Sequence, residues 1–157
     1  MSAASDVYKR QNEYYELAPF KAHHKDMFSD WFQKLAGTQE AALVNCAAGK
    51  DRTGILCALT HHVLGVSEAD VLADYELTNV AAKVDERLPE ATEYFNKLTG
   101  KDYTPEVYKP FLGVRGRYLE TAFGVMRQTH GTIDAYLAEA LGVGTQIREK
   151  LITRLIS

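Results

Sequence analysis

The sequence predicts an α/β domain organised around one loop, with a C-terminal half that is mainly helical. Three observations carry this expectation. The apolar run Ala41 to Val44 reads as a short buried strand, and the run Ile55 to Leu64 reads as a helix packed into a core. Between them stands Asn45-Cys46-Ala47-Ala48-Gly49-Lys50-Asp51-Arg52-Thr53-Gly54. Beyond Gly65, apolar residues recur at helical spacing between cap and stop residues.

Taken in order, the first eleven residues, Met1 to Gln11, resemble a translated adapter tail. They are set aside from the fold, which leaves 12–157 as the domain. Phe20, Met27, Phe28, Trp31, Phe32 and Leu35 share one helical face, with His23, His24, Asp26 and Asp30 mostly on the solvated side. Gly37 closes that helix, and Ala41 to Asn45 forms the strand. The helix that opens at Arg52 ends near Gly65 and carries His61 and His62 as structural residues. Ser67, with Asp70 three residues on, has the form of a capping box for a helix reaching about Asn79. A further helix spans Leu88 to Leu98, with Pro89 in its first turn and Gly100 as its stop. Thr104-Pro105-Glu106 starts a short helix to Leu112, and the stripe Val114, Tyr118, Ala122, Val125 and Met126 runs to Gly131. Thr132 caps a helix to Leu141, and Thr145 caps the last one, to Ile156.

The loop has the requirements of a phosphate cradle. Backbone N–H groups after a strand can converge on one anion, and the start of the next helix adds the positive end of its dipole. Arg52 can bond two phosphate oxygens with its planar fork. A thiol at that helix start, beside Lys50 and Arg52, has thiolate character and is a nucleophile. Gly49 and Gly54 allow tight turns and close approach. Lys50 either contacts an additional phosphate or stays solvated. Arg115 and Arg117 read as surface cations.

Cys-x5-Arg-Thr-Gly resembles the signature of the cysteine-dependent protein tyrosine phosphatase superfamily. The fuller string Cys46 to Gly54 is similar to its bacterial branch of combined tyrosine and phosphoinositide phosphatases. Weaker matches continue at Asp74-Tyr75, Asn79, Tyr118 to Phe123 and Gly131 to Leu137. The resemblance implies a mostly parallel sheet flanked by helices. With so few residues before Cys46, most of that sheet is expected to be missing, as in an N-terminally truncated member.

It implies catalysis by Cys46, Asp51, Arg52 and Thr53, with phosphate bound by Ala47, Ala48, Gly49, Lys50, Asp51 and Arg52. Cys46 would attack phosphorus, Asp51 would serve as general acid, and Thr53 would help sulfur leave. The substrate would be a phosphorylated protein or a phosphoinositide. No metal or cofactor is called for, because the cradle itself neutralises the phosphate. The family usually has His before the nucleophile, and this chain has Asn45. A phosphate-binding module without turnover is therefore the alternative, with an arsenate reductase or a rhodanese-like enzyme further behind.

Other classes find little support. With 46% hydrophobic and 25% charged residues and a net charge of −3, the chain has no basic excess for nucleic acid or an acidic membrane. No apolar run is long enough to span a bilayer, and no signal pattern opens the chain. The compartment is not readable from this sequence: as it stands it fits a cytoplasmic protein, and a preceding segment would permit secretion. Two cysteines do not make a disulfide framework. Cys57 sits about 8 Å along the helix from its start, which suits a buried structural thiol.

Overall fold

The computed structural model describes residues 3–156, which form ten α-helices and a 3-10 turn. They are α1 (Ala3–Leu17), the turn Ala18–Phe20, α2 (Ala22–Gly37), α3 (Asp51–Val63), α4 (Glu68–Glu76) and α5 (Thr78–Ala81). After these come α6 (Val84–Thr99), α7 (Pro105–Leu112), α8 (Gly116–His130), α9 (Ile133–Leu141) and α10 (Thr145–Ile156). No described helix is long and apolar enough to cross a membrane.

The centre of the core is α3. Ile55, Leu56, Ala58, Leu59 and Val63 are buried and none of its other residues is exposed, so neighbours must cover it all round. They do: α2 brings Phe28 and Phe32, α8 brings Leu119, Phe123 and Met126, and α10 brings Leu151, all in one buried cluster. Caps fix the helices around it. Ser67 Oγ accepts from Asp70 N–H and Thr132 Oγ1 accepts from Ala135 N–H, as the sequence pattern predicts.

Four expectations are corrected. The strand Ala41–Asn45 does not form, and no sheet is present among the described residues. A strand needs a neighbour to take its N–H and C=O groups, and the described residues offer no second strand. The run instead crosses the surface irregularly, with Leu43 90% exposed. Second, residues 3–11 are not foldless: they are the first part of α1, which packs on α7 and α8. The Arg115 guanidinium lies 3.8 Å over the Tyr8 ring, and Thr121 Oγ1 donates to Asn12 Oδ1 at 3.2 Å. Third, α6 begins at Val84, well before Leu88, so Pro89 lies inside it. Fourth, His24 is not on a solvated face: it is buried, with Nδ1 2.9 Å from the Ala18 carbonyl oxygen.

Candidate active site

The loop between residue 45 and the start of α3 closes on itself. Gly49 N–H donates to the Cys46 carbonyl at 3.2 Å, and Gly54 N–H donates to the Lys50 carbonyl at 2.9 Å. Gly49 takes φ 61°, a left-handed turn that disfavours any side chain. Gly54 is required for a different reason. A Cβ there would lie 2.6 Å from Cε2 of Tyr75, whose ring rests directly on the first turn of α3.

Cys46 sits at the focus. Burial pushes its thiol up, but hydrogen bonds from the Thr53 hydroxyl and from the N–H groups of Thr53, Lys50 and Ala48 more than offset this. The net result is a pKa lowered to about 7. Thr53 Oγ1 is buried and has no hydrogen bond of full geometry in the free protein, which leaves the sulfur as the acceptor it serves. Cys46, Arg52 and Thr53 together line a cleft of about 250 Å³ whose other wall is Met27, Trp31 and Lys34 of α2. Among the described residues, the Arg52 guanidinium has no hydrogen-bond or ion-pair partner, so its fork is available to an anion in that cleft.

The Lys50 and Asp51 side chains do not line that cleft. Lys50 is 4% exposed, and its ammonium donates to the carbonyls of Pro110, Phe111 and Gly113 at 3.0, 3.1 and 3.2 Å. Burial lowers its pKa, against the pull of Asp51. All three donors are therefore used at the C-terminal end of α7, and the side chain is a tether rather than a contact for a second phosphate. Asp51 turns Oδ1 toward Tyr15 Oη, which donates at 2.8 Å, and lies 3.5 Å from Lys50 Nζ. Asn45 is exposed on the cleft and makes no hydrogen bond to a described residue, so it gives the sulfur no support.

Sequence reasoning missed Tyr14 and Tyr15. The charges of Asp51, Arg52 and Cys46 act on the half-buried Tyr14, which places its ring beside the loop. Both residues lie in an aromatic doublet on α1, in the stretch between Gln11 and Phe20 for which the sequence reading assigns no element. Of the remaining candidates, Cys57 is a free thiol, half-buried rather than buried, with its pKa raised by desolvation and by Asp74. His62 pairs with Asp134 at 3.0 Å and His61 with Asp74 at 3.7 Å. Arg115 is engaged by Tyr8 and is not placed in the Cys46 cleft.

A family model described as tyrosine phosphatase family matches residues 1–157. The chain belongs to the tyrosine phosphatase family. Among curated relatives of this phosphatase-family chain, a Cupriavidus necator protein named "Putative tyrosine-protein phosphatase" is 31% identical over 129 residues, covering 79% of this chain and 43% of the relative. A tyrosine-protein phosphatase of Nostoc commune is 29% identical over 138 residues, covering 85% and 45%. The triple specificity protein phosphatase PtpB of Mycobacterium tuberculosis is 31% identical over 106 residues, covering 62% and 38%. The chain thus spans less than half the length of these relatives.

Proposed function

We propose that this chain hydrolyses phosphate monoesters of tyrosine, of phosphoinositides, or of both, through a phosphocysteine on Cys46. The observation that supports this best is a thiol lowered to about 7, in a ring of N–H donors, sharing its cleft with an unpaired Arg52. The thiolate attacks phosphorus as the bond to the leaving oxygen breaks. Arg52 and the loop N–H groups of residues 47 to 52 hold the equatorial oxygens. Asp51 gives its proton to the leaving oxygen through Oδ2, which has no hydrogen bond to a described residue. Water then attacks phosphorus and gives a proton to the Asp51 carboxylate as the S–P bond breaks, which restores the acid; phosphate departs, and Thr53 O–H stabilises the sulfur as it becomes thiolate again.

The name of PtpB suggests breadth of substrate in that relative, and phosphoinositide hydrolysis comes to this chain only as part of the proposal. On the same reading, residues 41–45, irregular here, are a strand segment that joins a parallel sheet when neighbouring strands are supplied. The exposed Leu43 supports this, because it is an apolar side chain without a local partner.

A phosphate-binding module without turnover is the second reading. It is favoured by Asn45, which stands where the family usually has His and makes no bond to the loop. One experiment separates the two: vanadate-sensitive hydrolysis of an aryl phosphate by the parent chain and by Cys46→Ser. Turnover in the parent that is lost in the variant, with vanadate binding kept, supports the enzyme. Binding without turnover in both supports the module, and turnover surviving in Cys46→Ser overturns the role of Cys46.

A further inference from the structure

Asp51 is held at the end of a directed hydrogen-bond chain. Tyr15 Oη donates to Asp51 Oδ1 at 2.8 Å and lies 2.5 Å from Tyr75 Oη. A phenol has one hydrogen. Tyr15 directs its hydrogen to Asp51, so Tyr75 is the donor to Tyr15, and the chain runs from Tyr75 through Tyr15 to the carboxylate. Both rings are buried, Tyr15 at 0% and Tyr75 at 4% exposed. Burial, the first cause in each case, holds both phenols well above their usual range, so both remain neutral donors near pH 7.

The dyad is fixed from three sides. Tyr15 stacks on Tyr118 of α8 with ring centres 5.4 Å apart, and Tyr75 of α4 meets its edge at 6.4 Å. The Tyr75 ring in turn rests on Gly54. Lys50, tethered to the end of α7, sets its ammonium 3.5 Å from the same Oδ1 that Tyr15 occupies. One hydrogen bond and one neighbouring charge thus meet at the same carboxylate oxygen, and the other oxygen is left without a described partner.

We propose that Tyr15, oriented by Tyr75, is a positioning residue for proton delivery by Asp51: it occupies Oδ1, so that the transferable proton resides on Oδ2. The proposal rests on the reading of Asp51 as general acid. As sulfur bonds to phosphorus and the P–O bond breaks, the proton leaves Oδ2 for the leaving oxygen. Negative charge then develops on the carboxylate, where the Tyr15 hydroxyl is already aimed, so the hydrogen bond strengthens in the transition state. Tyr15 keeps its own hydrogen throughout. The stabilisation applies only where the leaving oxygen needs a proton.

The test uses the whole chain with Tyr15→Phe, Tyr75→Phe, Asp51→Asn and the Tyr15→Phe/Asp51→Asn double variant. The substrates are p-nitrophenyl phosphate, whose leaving group needs little protonation, and phenyl phosphate, whose leaving group needs it. Tyr15→Phe is expected to lower kcat on phenyl phosphate about tenfold, the scale of one hydrogen bond to a charged group. It should change kcat on p-nitrophenyl phosphate less than about twofold and leave KM unchanged. Tyr75→Phe should give a smaller loss with the same selectivity, and Tyr15→Phe should add nothing in the Asp51→Asn background.

If Asp51→Asn is selective for phenyl phosphate while Tyr15→Phe slows both substrates equally, or neither, the positioning role is overturned and the acid role stands. If Asp51→Asn shows no selectivity, the acid role fails and the Tyr15 role fails with it. A parent chain without turnover on either substrate overturns the phosphatase reading and both roles.

Discussion

The two sides of the Cys46 loop are built very differently. Upstream, residues 38–45 form neither helix nor strand, Leu43 is 90% exposed, and Asn45 offers the sulfur nothing. Downstream, α3 is the most enclosed helix of the fold, with Ile55 and Leu59 fully buried. Lys50, Asp51, Thr53 and Gly54 are each fixed by a contact from α4, α7, α1 or the loop itself. The site is thus held from its helical side. Sulfur acidity here derives from N–H groups and a hydroxyl delivered by the loop and the helix start, and the residue preceding the cysteine contributes no bond.

The largest expected effect that would break this contrast comes from Cys46→Ser, which should abolish turnover while keeping vanadate in the cradle. Next is Lys50→Met. It removes a charged donor from three carbonyls, so stability should fall by about 3 kcal/mol, read as a lower urea midpoint. Unchanged stability with weaker binding of a doubly phosphorylated ligand would return Lys50 to the substrate.

A smaller effect concerns acidity. With the Cys46 pKa lowered to about 7, the alkylation rate by iodoacetamide should rise as pH climbs from 5.5 and level off above about 8. Asn45→His should move that curve to lower pH only if a protonated imidazole reaches the sulfur. A curve displaced downward by about a full unit would show that the upstream side can govern the thiol after all. The smallest effect is assigned to Leu43→Ser. An exposed side chain without partners should change stability by less than about 0.5 kcal/mol, and a larger loss would mean that residues 41–45 pack against something.

What was legible in the sequence follows the same division. The downstream side obeys local rules: Ser67 and Thr132 cap their helices, Gly100 ends its helix in a left-handed turn, and the apolar run after Gly54 is a buried helix. The strand failed because four apolar residues state a preference that only a neighbouring strand can satisfy, and neighbours are not encoded locally. The start of α6 moved because Lys83 takes φ 50°, a conformation that no residue type announced. Thr53 came with the family resemblance, and the pairing of Cys46 with Arg52 was readable from their spacing. Lys50 was not, since a lysine beside a phosphate loop points outward or inward according to where distant carbonyls lie. Tyr15 was not either, because its hydroxyl reaches across thirty-six positions to Asp51 and nothing local announces that contact.

The contact between Gly54 and the Tyr75 ring has an evolutionary corollary. Glycine after the Arg-Thr pair would ordinarily be credited to the anion it helps to surround. Here a methyl group at position 54 meets an aromatic ring before it meets any ligand. Positions 54 and 75 should therefore change together across descendants of this sequence. A lineage that shrinks residue 75 is free to replace the glycine, and one that keeps the tyrosine is not. Homologues sorted by residue 75 should show alanine or serine at 54 only where the ring is gone.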